Sequence, residues 1–135
     1  MRNQYQKGFT LTDVMVAAFV LAVFIAGAYK LVTGALWINR TARDHYVAIN
    51  LASSRLERAR VLLYSDYSKL AENQLVMDAN GTPNANGEFR RTTTVNTSYG
   101  ANLTEIFVQV DIRNHRSSQF DGPNEQLASV LPSKQ

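Results

Sequence analysis

Asp13 stands at the mouth of an apolar run, "KGFTLTDVMVAAFVLAVFIAGAYK", with no further charged side chain from Val14 to Tyr29. An ionised aspartate inside hydrocarbon costs on the order of 3 kcal/mol on insertion scales, so an acid in this setting marks a partner or a function. Phe9 lies four residues before it and follows Gly8. A cut between Gly8 and Phe9, on the polar side of the run, makes the Phe9 nitrogen an ammonium group. Asp13 can then pair with that charge, in its own chain or in a neighbouring copy.

The other residues able to do chemistry are sparse. Asp44-His45 and His115 are the histidine sites, and Ser53 and Ser54 follow His45 on the same segment. A hydrolase triad needs a nucleophile, a histidine and an orienting acid converging in a pocket; with no nucleophile-elbow glycine motif, the pattern predicts a solvated surface. Asp78, Asn80, Asn84, Asn86 and Glu88 offer oxygen ligands for calcium, but Pro83 falls where an EF-hand register led by Asp78 requires glycine. Zero cysteines exclude a disulfide framework, a thiolate nucleophile and a cysteine metal site. Phosphate loops, paired catalytic carboxylates and zinc-ligand spacings are missing as well. The expectation is a protein that is not an enzyme, with no cofactor, no metal and no small-molecule substrate.

Charge carries little more. Lysine and arginine number 14 against 11 acids, and Arg2 and Lys7 belong to the segment that a cut after Gly8 removes. The remaining balance is nearly even, which is poor support for a nucleic-acid face. Arg55, Glu57, Arg58 and Arg60 read as a solvated helix face.

The elements that must position Asp13 begin with the run itself. Continued through Leu31 to Trp37, it reaches the ~20 residues that cross a bilayer as a helix. Lys30 can snorkel toward headgroups, and Tyr29, Trp37 and Tyr46 suit an interfacial aromatic belt. Gly27 and Gly34 favour close approach of another helix. Two plainer readings stay open: a secretory signal peptide with a small-x-small site at Ala26-Gly27-Ala28, and a simple single-span anchor. Neither gives Asp13 a use.

Beyond the span, Ala48, Leu51, Ala52, Leu56, Ala59 and Leu63 recur at helical spacing. One helix from about Thr10 to about Tyr64 is expected, ~55 residues and roughly 80 Å long. Turn residues then predict a loop from Tyr64 to Gly87. A strand follows over "EFRRTTTVNT", with Phe89, Arg91, Thr93 and Val95 on one face, and another over "NLTEIFVQVDIR". In the second, Ile106, Val108, Val110 and Ile112 are the buried side, opposite Phe107, Gln109, Asp111 and Arg113. Tyr99 to Asn102 is the connection of an antiparallel hairpin, and Gln126 to Leu131 is a weaker third strand. The fold class is α+β: a long N-terminal helix, transmembrane then amphipathic, packed on a small antiparallel sheet.

"KGFTLTDV" resembles the prepilin cleavage and methylation signature of type IV pilins and type II secretion pseudopilins. The resemblance makes Gly8 the last leader residue, Phe9 the N-methylated first mature residue, and Asp13 the acid that neutralises a neighbour's N-terminus during assembly. It implies a leader over 1–8, a membrane half of the helix over 9–37, and an extracytoplasmic pilin-like head over 38–135. It also implies prepilin peptidase, the inner membrane and other pilin or pseudopilin subunits as partners. Two features depart from the family pattern: its acid is usually glutamate, and no proline occurs before Pro83. The missing proline favours a straighter helix and a minor subunit. "AINLASSRLERARVLLYSDY", "GEFRRTTTV" and "LTEIFVQVDI" are similar to minor pilins of the V type and pseudopilins of the I type. The alternative is a membrane-tethered binding module contacting DNA, an exported protein or a partner subunit.

Overall fold

A computed structural model describes residues 9–133. Helix α1 runs from Leu11 to Arg60, and a 3-10 helix covers Tyr64–Leu70. Four strands follow: β1 (Glu72–Met77), β2 (Phe89–Gly100), β3 (Leu103–Ile112) and β4 (Asn124–Pro132). They form one antiparallel sheet in the order β1-β2-β3-β4, each pairing with the next in sequence. The α+β class expected from the sequence is the one observed.

Two compact units divide the chain after Arg40. In the first, every side chain from Phe9 to Arg40 is exposed. Phe19, Phe24 and Leu31 are among these, and the helix is long and apolar enough to cross a membrane. Among the described residues nothing removes this apolar surface from water, and lipid or other chains are the natural cover for it.

The second unit, from Thr41, holds the core. Ala48, Leu51, Ala52, Leu56 and Ala59 of α1 pack with Tyr67, Leu70, Met77, Phe89, Ile106, Val108, Val110 and Ile112. The three alanines bring the helix backbone close to the sheet, and the leucines fill the space between them. On β3 the alternation is as expected, with Ile106, Val108 and Val110 fully buried. Each such side chain contributes about 1.5–3 kcal/mol on full burial. Leu63 was expected to extend the stripe but is 62 % exposed. The helix stops at Arg60, not near Tyr64, and Leu63 is extended at φ −70°, ψ 150°. Neither glycine nor proline marks the stop; Arg58 and Arg60 suit the last turn by facing its carbonyl dipoles.

The expected loop between Tyr64 and Gly87 is corrected twice, by the 3-10 helix and by β1. Glu72-Asn73-Gln74-Leu75-Val76-Met77 lacks the period-2 pattern because the strand is bulged. Glu72 pairs with Thr93 and Leu75 with Arg91, so β1 spends an extra residue there, with Gln74 at φ 53°. The hairpin turn narrows to Ala101-Asn102, with Asn102 at φ 61°, a conformation that asparagine tolerates. The third strand is longer than expected at both ends. Asp111, assigned to the polar face, is buried because the Arg90 guanidinium covers it, with Nε at 3.0 Å and Nη2 at 2.8 Å from Oδ2.

Gly87 ends the turn that returns the chain to β2. A Cβ there would lie 2.0 Å from the Met77 carbonyl oxygen, a backbone atom that cannot rotate away. Gly87→Ala is therefore expected to destabilise the protein by more than about 2 kcal/mol, read as a fall in the urea midpoint. A midpoint unchanged from wild type would show that the turn relaxes freely.

Candidate functional site

The first turn of α1 is built around Asp13. Thr10 is the cap: its backbone N–H donates to Asp13 Oδ2 at 3.1 Å and its hydroxyl donates to the same oxygen at 2.7 Å. In return the Asp13 N–H donates to Thr10 Oγ1 at 3.3 Å. This reciprocal arrangement is a capping box, satisfying helix-end donors that have no intrahelical partner. Its signal is legible as Thr-x-x-Asp, a capping use that comes in addition to the pairing with the Phe9 amine expected of Asp13. Both bonds from Thr10 land on Oδ2, leaving Oδ1 outside the box. Phe9 precedes the cap and is 84 % exposed. Gly8, and with it the expected leader segment 1–8, lies outside the described residues.

The histidines are not the free surface groups that the sequence suggested. Asp44 is buried and its Oδ2 lies 3.0 Å from His115 Nε2, while His45 Nδ1 pairs with Glu125 Oε1. These two adjacent helix residues tie α1 to the β3–β4 connection and to β4. Ser54 donates to the Leu51 carbonyl at 3.0 Å, so it stands apart from His45 and no triad assembles there.

The arginine face also needs correction. Arg55 is 11 % exposed and holds Glu72 Oε1 and the Leu70 carbonyl, both at 2.8 Å from Nη2. Glu72 is gripped from the other side by Arg91, Nε to Oε2 at 2.7 Å and Nη2 to Oε1 at 3.0 Å. Burial, opposed by Glu72 and assisted by Arg91 and Arg58, pushes the Arg55 guanidinium below its ordinary value. Arg60 pairs with Glu57 at 2.8 Å. A continuous basic helix face for DNA is thus broken at its centre.

The oxygen-rich turn is also occupied by its own backbone. Asp78 Oδ1 accepts the N–H groups of Asn80 and Thr82 at 2.9 Å, and Asn84 Oδ1 accepts that of Asn86 at 3.0 Å. Among the described residues no group of three or more histidines or carboxylates is placed to hold a metal.

What stands out is the junction of a capped acid, an exposed phenylalanine and a bare apolar helix. A family model described as the prokaryotic N-terminal methylation motif matches residues 3–29. No curated protein and no solved structure matches the chain. The head of this uncovered apolar helix therefore carries the N-terminal methylation signature of type IV pilins and pseudopilins.

Proposed function

We propose that the chain is a minor pilin or pseudopilin, a structural subunit that joins or initiates a type IV pilus or a type II secretion pseudopilus. In this reading prepilin peptidase removes residues 1–8, Phe9 is N-methylated, residues 9–37 cross the inner membrane once, and residues 38–135 form a head outside the cytoplasm. The observation that carries it is the match over residues 3–29 falling on a helix whose side chains are all exposed from Leu11 to Arg40. Other subunits of the same kind supply the cover for that surface in a filament.

Asp13 has a part in the energetics of joining. Its Oδ2 is engaged by Thr10, and Oδ1 stands outside that box. A neighbour's Phe9 ammonium placed against Oδ1 neutralises both charges in a medium of low dielectric, where opposite charges attract strongly. The pairing favours one axial register, and the apolar faces supply the bulk of the association.

Mass spectrometry of the protein recovered from membranes tests the processing. The mature chain is expected to begin at Phe9 and to bear one N-methyl group. A start at Tyr29 would mean cleavage after Ala28 by a signal peptidase, and a retained Met1 would mean a plain anchor; either result overturns the reading.

A further inference from the structure

We propose that a basic recess between the end of α1 and the 3-10 helix Tyr64–Leu70 takes an aspartate or glutamate side chain from an extended acidic segment of another protein. This site is independent of the filament reading. The recess has a volume of about 270 Å³ and is lined by Arg55, Arg58, Leu62, Asp66, Lys69 and Leu70. That is below the roughly 300–1,000 Å³ of sites that enclose whole small-molecule ligands, and suits a single side chain.

Its charge is unbalanced. Arg55, Arg58, Lys69 and Arg91 bring four positive charges to the recess and the cluster behind it, against two carboxylates, Glu72 and Asp66. Glu72 is shared by Arg55 and Arg91, so one buried carboxylate serves two guanidinium groups. Asp66 is taken by Lys69 at 2.7 Å. Arg58 has no hydrogen bond or ion pair among the described residues.

A second observation is the Arg55 Nε–H, which is buried and has no acceptor among the described residues. A buried donor left unmade costs about 1–3 kcal/mol, and this one adds to the uncompensated positive character behind the recess, where the exposed Arg58 and Lys69 meet an incoming acceptor. The shape of that acceptor follows from the walls. Leu62 and Leu70 offer apolar contact for a methylene stem, and the planar fork of Arg58 matches a carboxylate. The Asp66 carboxylate in the lining disfavours a dianion such as phosphate relative to a single carboxylate.

Binding is measured with the full chain in nonionic detergent and a fluorescein-labelled octapeptide of alternating glutamate and serine. The same peptide with glutamine for glutamate, and inorganic phosphate as competitor, serve as the other arms. The glutamate peptide is expected to bind at least tenfold tighter than the glutamine peptide, and to weaken as salt is raised. Arg58→Gln with Lys69→Gln, two surface changes that leave the core untouched, should weaken it tenfold or more. Equal binding of both peptides, unchanged affinity in the double variant, or displacement by phosphate at matched ionic strength would each overturn the proposal.

Discussion

Asp13→Ala is expected to insert into the membrane as wild type does and to fall at least tenfold in filaments, measured as the sheared fraction relative to the membrane pool. Insertion depends on the apolar stretch that follows, and removing an acid from its edge makes that step easier. Incorporation is different in the proposed filament, because a neighbour's Phe9 ammonium would then be buried without a counter-charge. A tenfold loss needs only about 1.4 kcal/mol, well within the value of one charge pair in low dielectric. The capping box complicates the alanine variant, since it frays the first turn as well. Two further changes separate the roles. Asp13→Asn keeps an oxygen for the Thr10 N–H but no charge, and is expected to fail as alanine does. Thr10→Val removes the hydroxyl but keeps the acid, and is expected to incorporate near normally. Normal incorporation of the asparagine variant would show that Asp13 acts as a helix cap and that its charge is dispensable.

Glu72→Ala should have the largest effect on stability. Removing the carboxylate leaves Arg55 and Arg91 facing one another in the core, each with most of its surface withdrawn from water. Breaking a buried ion pair from one side costs about 3–5 kcal/mol. The lower part of that range is expected, because Glu72 keeps 14 % side-chain exposure and Arg91 retains a weak bond to the Leu51 carbonyl at 3.4 Å. The check is urea unfolding of the solubilised protein, followed by the near-ultraviolet signal of buried tyrosine such as Tyr67. Glu72→Asp keeps the charge but cannot reach both guanidinium groups, and should recover only part of the loss. A midpoint within experimental error of wild type in the alanine variant would mean that the two arginines find water instead.

Where one face of an element is plainly apolar, the sequence predicted its place well. The α1 stripe from Ala48 to Ala59 and the β3 alternation from Ile106 to Ile112 both lie in the core. What stayed hidden was polar burial. Arg91 shares a face with Phe89 and Thr93, and an arginine on a core face implies a buried acid somewhere, but nothing local says that the acid is Glu72. Glu72 in turn opens a bulged strand whose alternation is broken at Gln74, so β1 looked like loop. Arg55 lies off the apolar stripe and seemed solvated, because its partners come from the 3-10 helix and β1. The histidines were misjudged for the same reason, as their acids are distant in sequence. At the other end of α1, the methylation motif was legible because a short local stretch around Phe9 and Asp13 carries it.

The order of strands has a bearing on how the protein forms. Since each of β1 to β4 pairs with its neighbour along the chain, every step in closing the sheet spans far fewer residues than the closures to the helix. The distant closures are those to the helix: 40 residues from Leu51 to Arg91, 71 from Asp44 to His115 and 80 from His45 to Glu125. Loop-closure entropy makes such joins late events, so hairpins come first and seating of residues 41–60 on the sheet comes last. The nascent chain then has its four strands paired in sequence, with β1 and β4 as the two edges, before residues 41–60 are docked, which shortens the time that the inner strands are open to exchange with another chain.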